Sequence, residues 1–326
     1  MINVNSSYWK GKKVLVTGIS GFVGCRVAER LLENGAEVIG IVKDLNLDQG
    51  VGMSLMGAHL ECGDICDYEF LRRVISEHEI EVVFHFAAYS IVRVSARDPL
   101  STYKINVMGT VNLLEAIRNV GSTVKSIVVA SSDKAYGDHE TLPYTELLPL
   151  QPKNTYDTSK ACMDLISRSY AHNYGLPLVV TRCSNIYGPG DRNFSRIIPN
   201  TIRRIFEGKA PTLYSDVENM EREFIFIDDV VTAYLKLAVV APQYVGEAFN
   251  IGETDPIKIR RLVMLIGEVM GRDAEPEIIP REPAFKEIQR QFIDAAKLTA
   301  AIEWVPTTSL AVGIDQTARW IKQVSK

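Results

Sequence analysis

The sequence predicts an α/β fold, a doubly wound parallel sheet followed by a smaller C-terminal α/β domain. Short apolar runs alternate with helical patterns through the first 182 residues. No tight hairpin turn separates these runs, and strands that alternate with helices are typical of a parallel sheet with right-handed crossovers. After Arg182 the chain becomes rich in Pro, Gly, Arg and Asn, which indicates that a second structural unit begins there.

Five apolar runs predict strands of this sheet, because a strand covered by helices on both faces is apolar at nearly every position. In chain order they are KVLVT at 13–17, EVIGIV at 37–42, VVFHF at 82–86, IVVA at 127–130 and LVVTR at 178–182. A further strand is expected to end near Asp64. The segments between them with a helical pattern are 24–34, 68–78, 104–119 and 156–174.

The C-terminal part is predicted to contain a strand at 223–227 and helices at 229–240, 259–270 and 310–323. No long flexible linker separates it from the first part, so we expect it to pack on the carboxyl edge of the sheet. The predicted division assigns 1–182, plus about 223–250, to the first domain and 183–222 with 251–326 to the second.

Composition excludes several classes of protein. The chain has 326 residues, a formal charge of -4 and a pI of about 5.8, which argues against nucleic-acid binding. No apolar run approaches the roughly 18 residues that span a bilayer, and the first residues lack a signal-like apolar stretch. We therefore expect no membrane and a cytoplasmic location. Five scattered cysteines and five dispersed histidines form no ligand spacing, so no metal is predicted.

The segment KKVLVTGISGFVG places Gly18, Gly21 and Gly24 between the first strand and the first helix. Glycines at this junction let the backbone turn tightly and approach a pyrophosphate, which meets the free N–H groups at the helix start. A glycine triplet alone is a weak signal and could mark a tight turn without a ligand. The preceding strand and following helix supply the context of a dinucleotide site.

The residues after the second strand bear on the choice of cofactor. Asp44 could accept hydrogen bonds from both ribose hydroxyls of NAD, whereas Lys43 could pair with the 2'-phosphate of NADP. We favour NAD without excluding NADP. Asp64 could receive the adenine amino group, or it could cap the helix at 68–78.

Tyr156 and Lys160 in YDTSK are four residues apart, so on a helix they share one face. A neighbouring ammonium stabilises a phenolate and would lower the pKa of the tyrosine toward the working range of a base. Ser132, at the end of a predicted strand, could hold the same substrate oxygen. These residues suit the oxidation of an alcohol, although YxxxK alone is common.

Several motifs together resemble the extended short-chain dehydrogenase/reductases, the NAD-dependent epimerase/dehydratase family that acts on nucleotide sugars. They are TGxxGFVG (17–24), HFAA (85–88), NVMGT (106–110), Ser132, YxxxK, RCSNIYGPG (182–190) and EREFIFIDDV (221–230). The resemblance covers nearly the whole chain and implies an NAD(P)-binding Rossmann domain and a nucleotide-sugar-binding domain. It also implies tightly bound NAD(P) and a Ser-Tyr-Lys set that oxidises C4 of a hexose.

The resemblance implies roles for further residues. The predicted cofactor-binding residues are Gly18, Gly21, Phe22, Val23, Gly24, Asp44, Asp64, Ile65, Ala87, Ala88, Asn106, Tyr156 and Lys160. The predicted substrate-binding residues are Ser90, Arg93, Asn185, Arg196, Tyr214 and Arg222. Arginine suits a diphosphate because its planar fork donates two hydrogen bonds to phosphate oxygens, although each arginine could instead form a surface ion pair.

Asp133 and Lys134 follow Ser132 directly, in SSDKAYG. Oxidation at C4 makes the C5 proton acidic, so a base can remove it while an acid protonates the C6 hydroxyl and water leaves. Lys134 as base and Asp133 as acid would serve a nucleotide-sugar 4,6-dehydratase. The dTDP-glucose enzymes have Asp-Glu here, whereas CDP-glucose 4,6-dehydratases and inverting UDP-N-acetylglucosamine dehydratases have Asp-Lys. The nucleotide and hexose stay open.

Other functions remain open as well. A nucleotide-sugar 4-epimerase needs Ser-Tyr-Lys but no acid-base pair after Ser132. A reductase with dissociable NADPH ranks third, and a non-catalytic dinucleotide-binding protein would be expected to lose YxxxK or the serine. The pair could also be a surface salt bridge, although neighbours on an extended segment point to opposite faces. The resemblance implies a homodimer through a four-helix bundle. The predicted helix at 156–174 has a small and apolar stripe at helical spacing that could serve this contact or could equally be ordinary core; it comprises Ala161, Cys162, Leu165, Ile166 and Ser169.

Overall fold

The computed structural model describes residues 6–280 and 288–324; the rest of the two predicted domain ranges lies outside the described residues. The strands are β1 Lys13–Thr17, β2 Glu37–Val42, β3 His59–Cys62, β4 Val82–His85, β5 Ser126–Ala130, β6 Leu178–Cys183, β7 Asn185–Tyr187, β8 Thr212–Tyr214, β9 Glu221–Arg222, β10 Phe224–Phe226, β11 Ala248–Ile251, β12 Ile257–Lys258, β13 Glu277–Ile279 and β14 Arg290–Gln291.

The α-helices are α1 Ser6–Trp9, α2 Phe22–Glu33, α3 Gln49–Ser54, α4 Tyr68–Glu77, α5 Val92–Arg97, α6 Pro99–Tyr103, α7 Gly109–Val120, α8 Thr155–Tyr174, α9 Ile197–Phe206, α10 Ile227–Val240, α11 Ile259–Val269, α12 Ala296–Ile302 and α13 Leu310–Val324. A π-helical turn, Lys104–Met108, precedes α7, and 3-10 turns form at Asp133–Tyr136 and Ala241–Gln243. Among the helices of these described ranges, none is long and apolar enough to cross a bilayer.

Seven strands form one parallel sheet in the order β3-β2-β1-β4-β5-β6-β11. The chain builds outward from β1 to β3, then returns to β4 beside β1 and builds in the other direction. The topological switch point therefore lies between β1 and β4, where open α/β sheets bind ligands. The predicted α/β fold with a doubly wound parallel sheet is confirmed.

The two faces of this sheet carry separate hydrophobic cores. Val14 and Val16 of β1 pack in one core with residues of α2 and α10, whereas Leu15 packs in the other with residues of α4 and α7. This alternation follows from the two-residue period of a strand. Both faces are covered, which explains why the strands are apolar throughout.

The smaller sheets come mostly from the second half of the chain. They pair β7 with β10, β8 with β13, and β9 with both β12 and β14. Helices α9, α11 and α13 pack against one another beside them. The seven-stranded sheet draws its strands from 13–183 and from β11, and the division into two domains stays a prediction.

Two elements differ from the sequence prediction. The expected strand at 223–227 is shorter in the structure, where β10 covers Phe224–Phe226 and Ile227 already begins α10; the separate strand β9 precedes it at Glu221–Arg222. Between them lies Glu223, a buried carboxylate that accepts hydrogen bonds from the N–H groups of Ile293 and Thr254. The expected helix at 104–119 starts as the π-helical turn, a distortion that is frequent at functional sites.

A buried ion pair joins β6 to α8. The Arg182 guanidinium donates to both Asp164 oxygens at 2.8 and 3.0 Å, and neither residue is more than 1% exposed. Arg182 also donates to the Tyr136 hydroxyl at 3.0 Å, and that hydroxyl donates to Asn250 Oδ1 at 2.8 Å. The network therefore fixes the 3-10 turn at Asp133–Tyr136 against the helix that carries Tyr156.

Asp164→Asn is expected to destabilise the protein by about 3 kcal/mol, because it leaves a buried guanidinium without its counter-charge. Urea unfolding at pH 7 measures this loss. Asp315→Asn is the matched control, since Asp315 forms an exposed pair with Arg319 at 2.8 Å and should change stability by less than about 0.5 kcal/mol. Equal losses in the two variants would contradict the prediction.

Candidate functional site

A cavity of about 670 Å³ opens at the carboxyl ends of β1, β4, β5 and β6. It brings together most of the residues that the sequence analysis singled out. Its lining includes Gly18, Gly21, Phe22, Val23, Gly24, Ala87, Ala88, Ser90, Arg93, Ser132, Asp133, Lys134, Tyr156, Lys160, Asn185, Arg196 and Arg222. Asp44, Asp64, Ile65, Asn106 and Tyr214 lie outside this lining.

The glycine turn forms one wall of the cavity. Gly18 has a φ of +67°, and a Cβ atom there would lie 2.7 Å from the Ala87 nitrogen, so a side chain is excluded on both grounds. A Cβ at Gly24 would overlap the Gly18 carbonyl. Among the described residues, no side chain caps the N-terminus of α2, where Phe22 and Val23 line the cavity. This uncapped helix start fits a pyrophosphate.

The loop after β2 holds the residues predicted at the ribose. Asp44 is exposed, and its carboxylate accepts from the Asn46 N–H at 2.8 Å. The Lys43 ammonium lies 3.7 Å from Asp64 Oδ2, so this lysine has a carboxylate partner. Asp64 accepts from the Cys66 N–H, whereas Asp67 caps α4. The alternative of Asp64 as the cap of this helix is therefore wrong.

A buried polar network orients the loop after β4. His85 lies between the hydroxyls of Thr17 and Thr110 at 2.8 and 2.9 Å, and burial lowers its pKa to about 3, so the ring stays neutral. Asn106 accepts from the Tyr89 N–H at 2.6 Å and donates to Ser159 Oγ at 2.8 Å. Asn106 thus connects the loop that bears Ala87 and Ala88 to helix α8, without lining the cavity itself.

Helix α8 places Tyr156 and Lys160 one turn apart on the cavity wall, opposite the end of β5. The Lys160 ammonium donates to the Ala130 carbonyl at 2.7 Å, and burial lowers the pKa of this lysine to about 8. Burial and the Asp157 carboxylate raise the pKa of Tyr156, whereas Arg196 and Ser132 oppose this rise. The expected lowering is therefore wrong for the cofactor-free protein, because desolvation of the phenolate dominates.

Lys160→Met is expected to stabilise the cofactor-free protein at pH 7 by about 2 kcal/mol, because the ammonium is buried. The unfolded chain keeps the ordinary pKa of 10.5 and binds this proton more readily than the folded chain, whose pKa is about 8. Wild-type stability should therefore rise between these pH values, and the variant should lack that rise. Urea unfolding at pH 7 and pH 10 tests this, with exposed Lys153→Met as control; a variant less stable than wild type at pH 7 would contradict it.

Asp133 and Lys134 lie on a 3-10 turn rather than on the extended segment expected from the sequence. Both residues line the cavity. Asp133 is only 2% exposed, and among the described residues its Oδ2 atom has no hydrogen-bond partner. Burial raises the pKa of Asp133, against the opposing effects of Lys134 and Ser132. The surface salt bridge considered for this pair is excluded for Asp133.

Three of the predicted substrate-binding residues, Asn185, Arg196 and Arg222, line a further part of the cavity wall. Asn185 donates to the Glu223 carbonyl at 2.8 Å, and the partly exposed Arg196 pairs with Asp191 at 3.1 Å. The buried Arg222 donates to the carbonyls of Glu221 and Gln289 at 2.9 and 3.2 Å, so in this conformation its guanidinium holds backbone. Tyr214 lies on β8, away from the cavity lining.

Two residues of this region were not singled out by the sequence analysis. Asp191 lines the cavity and is 2% exposed, and burial raises its pKa against the effect of Arg196. The buried Gln291 contacts both Asp133 and Lys134 from the far end of the chain. The GPGD segment offered a weak signal for Asp191. Nothing in the sequence pointed to Gln291, because the contact spans 157 residues.

One group in the described part of the chain has the chemistry of metal ligands. The His59 and His78 rings lie 3.2 and 2.8 Å from the same Glu61 oxygen. Sequence spacing does not show this group, because β3 and the end of α4 meet only in the fold. Glu61 also pairs with Arg73 at 2.9 Å, so its carboxylate already has three partners.

Comparisons with known proteins place this geometry in context. Residues 15–317 match the family described as GDP-mannose 4,6-dehydratase. The CDP-glucose 4,6-dehydratase of Salmonella typhimurium is 30% identical over 98% of this chain and 93% of that protein.

Two solved structures are also similar to this chain. The UDP-glucose 4-epimerase of Thermotoga maritima, solved with UDP-glucose, superposes with a TM-score of 0.87 at 29% identity, over 96% of this chain and 100% of that one. The dTDP-glucose 4,6-dehydratase of Bacillus anthracis, solved with NAD, superposes with a TM-score of 0.84 at 29% identity, over 96% and 97%. Dehydratases and epimerases are thus similar to this chain to about the same degree.

Proposed function

Because the chain belongs to the NAD-dependent epimerase/dehydratase family, as its motifs predicted, we propose that it is a nucleotide-sugar 4,6-dehydratase. One observation carries this choice. Asp133 and Lys134 line the same cavity as Ser132, Tyr156 and Lys160, so an acid and a base stand beside the alcohol-oxidising set. The substrate would be a nucleotide-diphosphate hexose and the product its 4-keto-6-deoxy derivative.

The proposed cofactor is tightly bound NAD, and the uncapped start of α2 with its glycine turn supports the pyrophosphate position. NAD, when bound, supplies reversible hydride transfer, from C4 of the sugar and later back to C6. Lys43 has Asp64 as a partner, which favours NAD over NADP. We expect acid precipitation of the purified protein to release NAD, identified by mass; release of NADP would contradict the assignment of Asp44.

The residues of the cavity divide the proposed reaction between them. Tyr156 accepts the proton of the C4 hydroxyl while Ser132 holds the same oxygen, and the nearby Lys160 ammonium stabilises the phenolate. Lys134, in its neutral form, removes the C5 proton. Asp133 donates a proton to the C6 hydroxyl, which leaves as water. Its buried position supports this role, because desolvation raises the pKa of Asp133 and favours the protonated acid.

Arg196 and Asn185 are the proposed contacts for the nucleotide diphosphate and the sugar, with Ser90 and Arg93 on the cavity wall near the glycine turn. The Arg196 guanidinium is partly exposed and pairs with Asp191, so a diphosphate could share it at little cost. Arg222 is proposed to support the substrate site indirectly, since its guanidinium already binds backbone carbonyls.

A nucleotide-sugar 4-epimerase is the second candidate, because the epimerase structure is similar over 96% of this chain. An epimerase would use Ser132, Tyr156 and Lys160 and would leave Asp133 and Lys134 without a catalytic role.

The homodimer through a four-helix bundle and the cytoplasmic location stay predictions. In the single chain Leu165 is 54% exposed on α8, which favours a partner on that face.

Incubation with a panel of nucleotide sugars tests the proposal. The purified protein receives CDP-glucose, dTDP-glucose, UDP-glucose, UDP-N-acetylglucosamine or GDP-mannose without added reductant, and product mass is followed. We expect loss of one water from one of these substrates, which also identifies the nucleotide. Unchanged mass with an inverted C4 centre by NMR would instead establish the epimerase.

A further inference from the structure

Gln291 connects the C-terminal part of the chain to the acid-base turn. It lies on β14, is 1% exposed, and stands in register with Arg222 of β9. Its Nε2 atom donates to the Asp133 carbonyl at 3.0 Å, and its Oε1 atom accepts from the Lys134 Nζ. One buried amide therefore contacts the backbone of one residue of the pair and the side chain of the other.

These two contacts fix the orientation of the amide. A backbone carbonyl only accepts, so the Gln291 NH₂ group must face Asp133 and its oxygen must face Lys134. An amide oxygen is an uncharged acceptor. It can hold an amine through one N–H while the nitrogen lone pair stays available, and it does not favour the ammonium as a carboxylate would.

From this geometry we propose that Gln291 is a positioning residue that holds the Lys134 amine toward C5 of the bound sugar. This inference rests on the proposed dehydratase function. In this arrangement β14 sets the direction of the Lys134 side chain. Arg222 supports β14 by binding the backbone carbonyls of Ile288 and Gln289. The C-terminal part of the chain thereby determines where proton removal takes place.

Other charged and titratable groups act on this region too. The cavity also carries Asp133, Tyr156, Lys160, Arg196 and Arg222, and the buried Glu223 carboxylate interacts electrostatically with Asp133. Gln291 contacts Asp133 through the backbone carbonyl of that residue, whereas it contacts the Lys134 side chain directly. A pH shift that Gln291→Glu shows and Gln291→Met lacks is therefore assigned to the charge placed beside Lys134.

Two replacements separate positioning from packing. Gln291→Met keeps the length but removes the acceptor, and we expect water loss to slow by 10- to 100-fold with KM within about threefold of wild type. Gln291→Glu adds a negative charge beside Lys134, which favours the ammonium and raises the pKa of the base. The acid limb of the kcat profile should then move about one pH unit upward, so that activity on this limb is about tenfold lower than in the wild type and recovers as the pH rises.

The readouts are C5 deuterium incorporation in D₂O, product mass across pH 6 to 10, and reduction of bound NAD at 340 nm in a single turnover. Reduction should stay within threefold of wild type in both variants, because C4 oxidation does not use Lys134. Gln316→Met, at an exposed position of α13, is the control for the exchange of glutamine.

The outcomes distinguish this inference from the function on which it rests. If the wild type dehydrates its substrate but both variants match it, the role of Gln291 is refuted and the dehydratase stands. Equal losses of dehydration rate in the two variants without a pH shift would also refute this role, because they would indicate a purely structural effect. If the wild type epimerises without C5 exchange, the dehydratase and the role of Gln291 are both wrong. Should Gln291→Met fail to fold, the pH profile of Gln291→Glu decides.

Discussion

Replacing Lys134 with methionine is expected to slow water loss by about 10³-fold while C4 oxidation continues. Methionine keeps the length of the side chain but cannot accept the C5 proton. The oxidised intermediate should then accumulate with reduced cofactor, seen as lasting absorbance at 340 nm after one turnover. Product mass should show no loss of water on the wild-type timescale. The separation follows because Tyr156 and Lys160 lie on α8, whereas Lys134 lies on the turn after β5.

Exposed Lys153→Met is the matched control and should dehydrate as the wild type does. Dehydration by Lys134→Met at the wild-type rate would remove the basis for choosing a dehydratase over an epimerase. Loss of cofactor reduction together with water loss would instead mean that the variant disturbs the whole cavity.

The architecture could be predicted from the sequence because its signals are local. Continuous apolar runs gave β1, β2, β4, β5 and β6 to within a residue at each end, since each strand is covered on both faces. The glycine turn was predictable for a similar reason, because Gly18 and Gly24 meet close backbone in the first strand-helix unit. The seventh strand, β11, was missed, because the polar Asn250 interrupts its short apolar run.

The site was less predictable where it depends on contacts between distant segments. Tyr156 and Lys160 could be paired from their spacing, but their protonation depends on burial, and the effect of burial on Tyr156 runs opposite to the expected effect of a neighbouring ammonium. The segment at Asp133–Tyr136 was expected to be extended but forms a 3-10 turn. The turn could not be predicted, because it depends on Arg182 and Asp164 from two other elements. Gln291 reaches the site only through the pairing of β14 with β9.

Tyr156→Phe should produce the complementary defect, a loss of about 10³- to 10⁴-fold in both cofactor reduction and water loss. Phenylalanine fills the same space but cannot take the C4 hydroxyl proton, so the reaction stops before C5 becomes acidic. Tyr174→Phe, at an exposed position of the same helix, is the matched control and should retain wild-type activity.

A crossed experiment makes the two defects separable. The 4-keto product, made by wild-type enzyme, is returned to each variant in D₂O and its C5 exchange is followed. Tyr156→Phe should keep this exchange within about tenfold, because the ketone is already formed and Ser132 still holds its oxygen. Lys134→Met should lose it by about 10³-fold. If Tyr156→Phe instead loses exchange and Lys134→Met keeps it, Tyr156 rather than Lys134 is the base at C5, and the lysine after Asp133 has a different task.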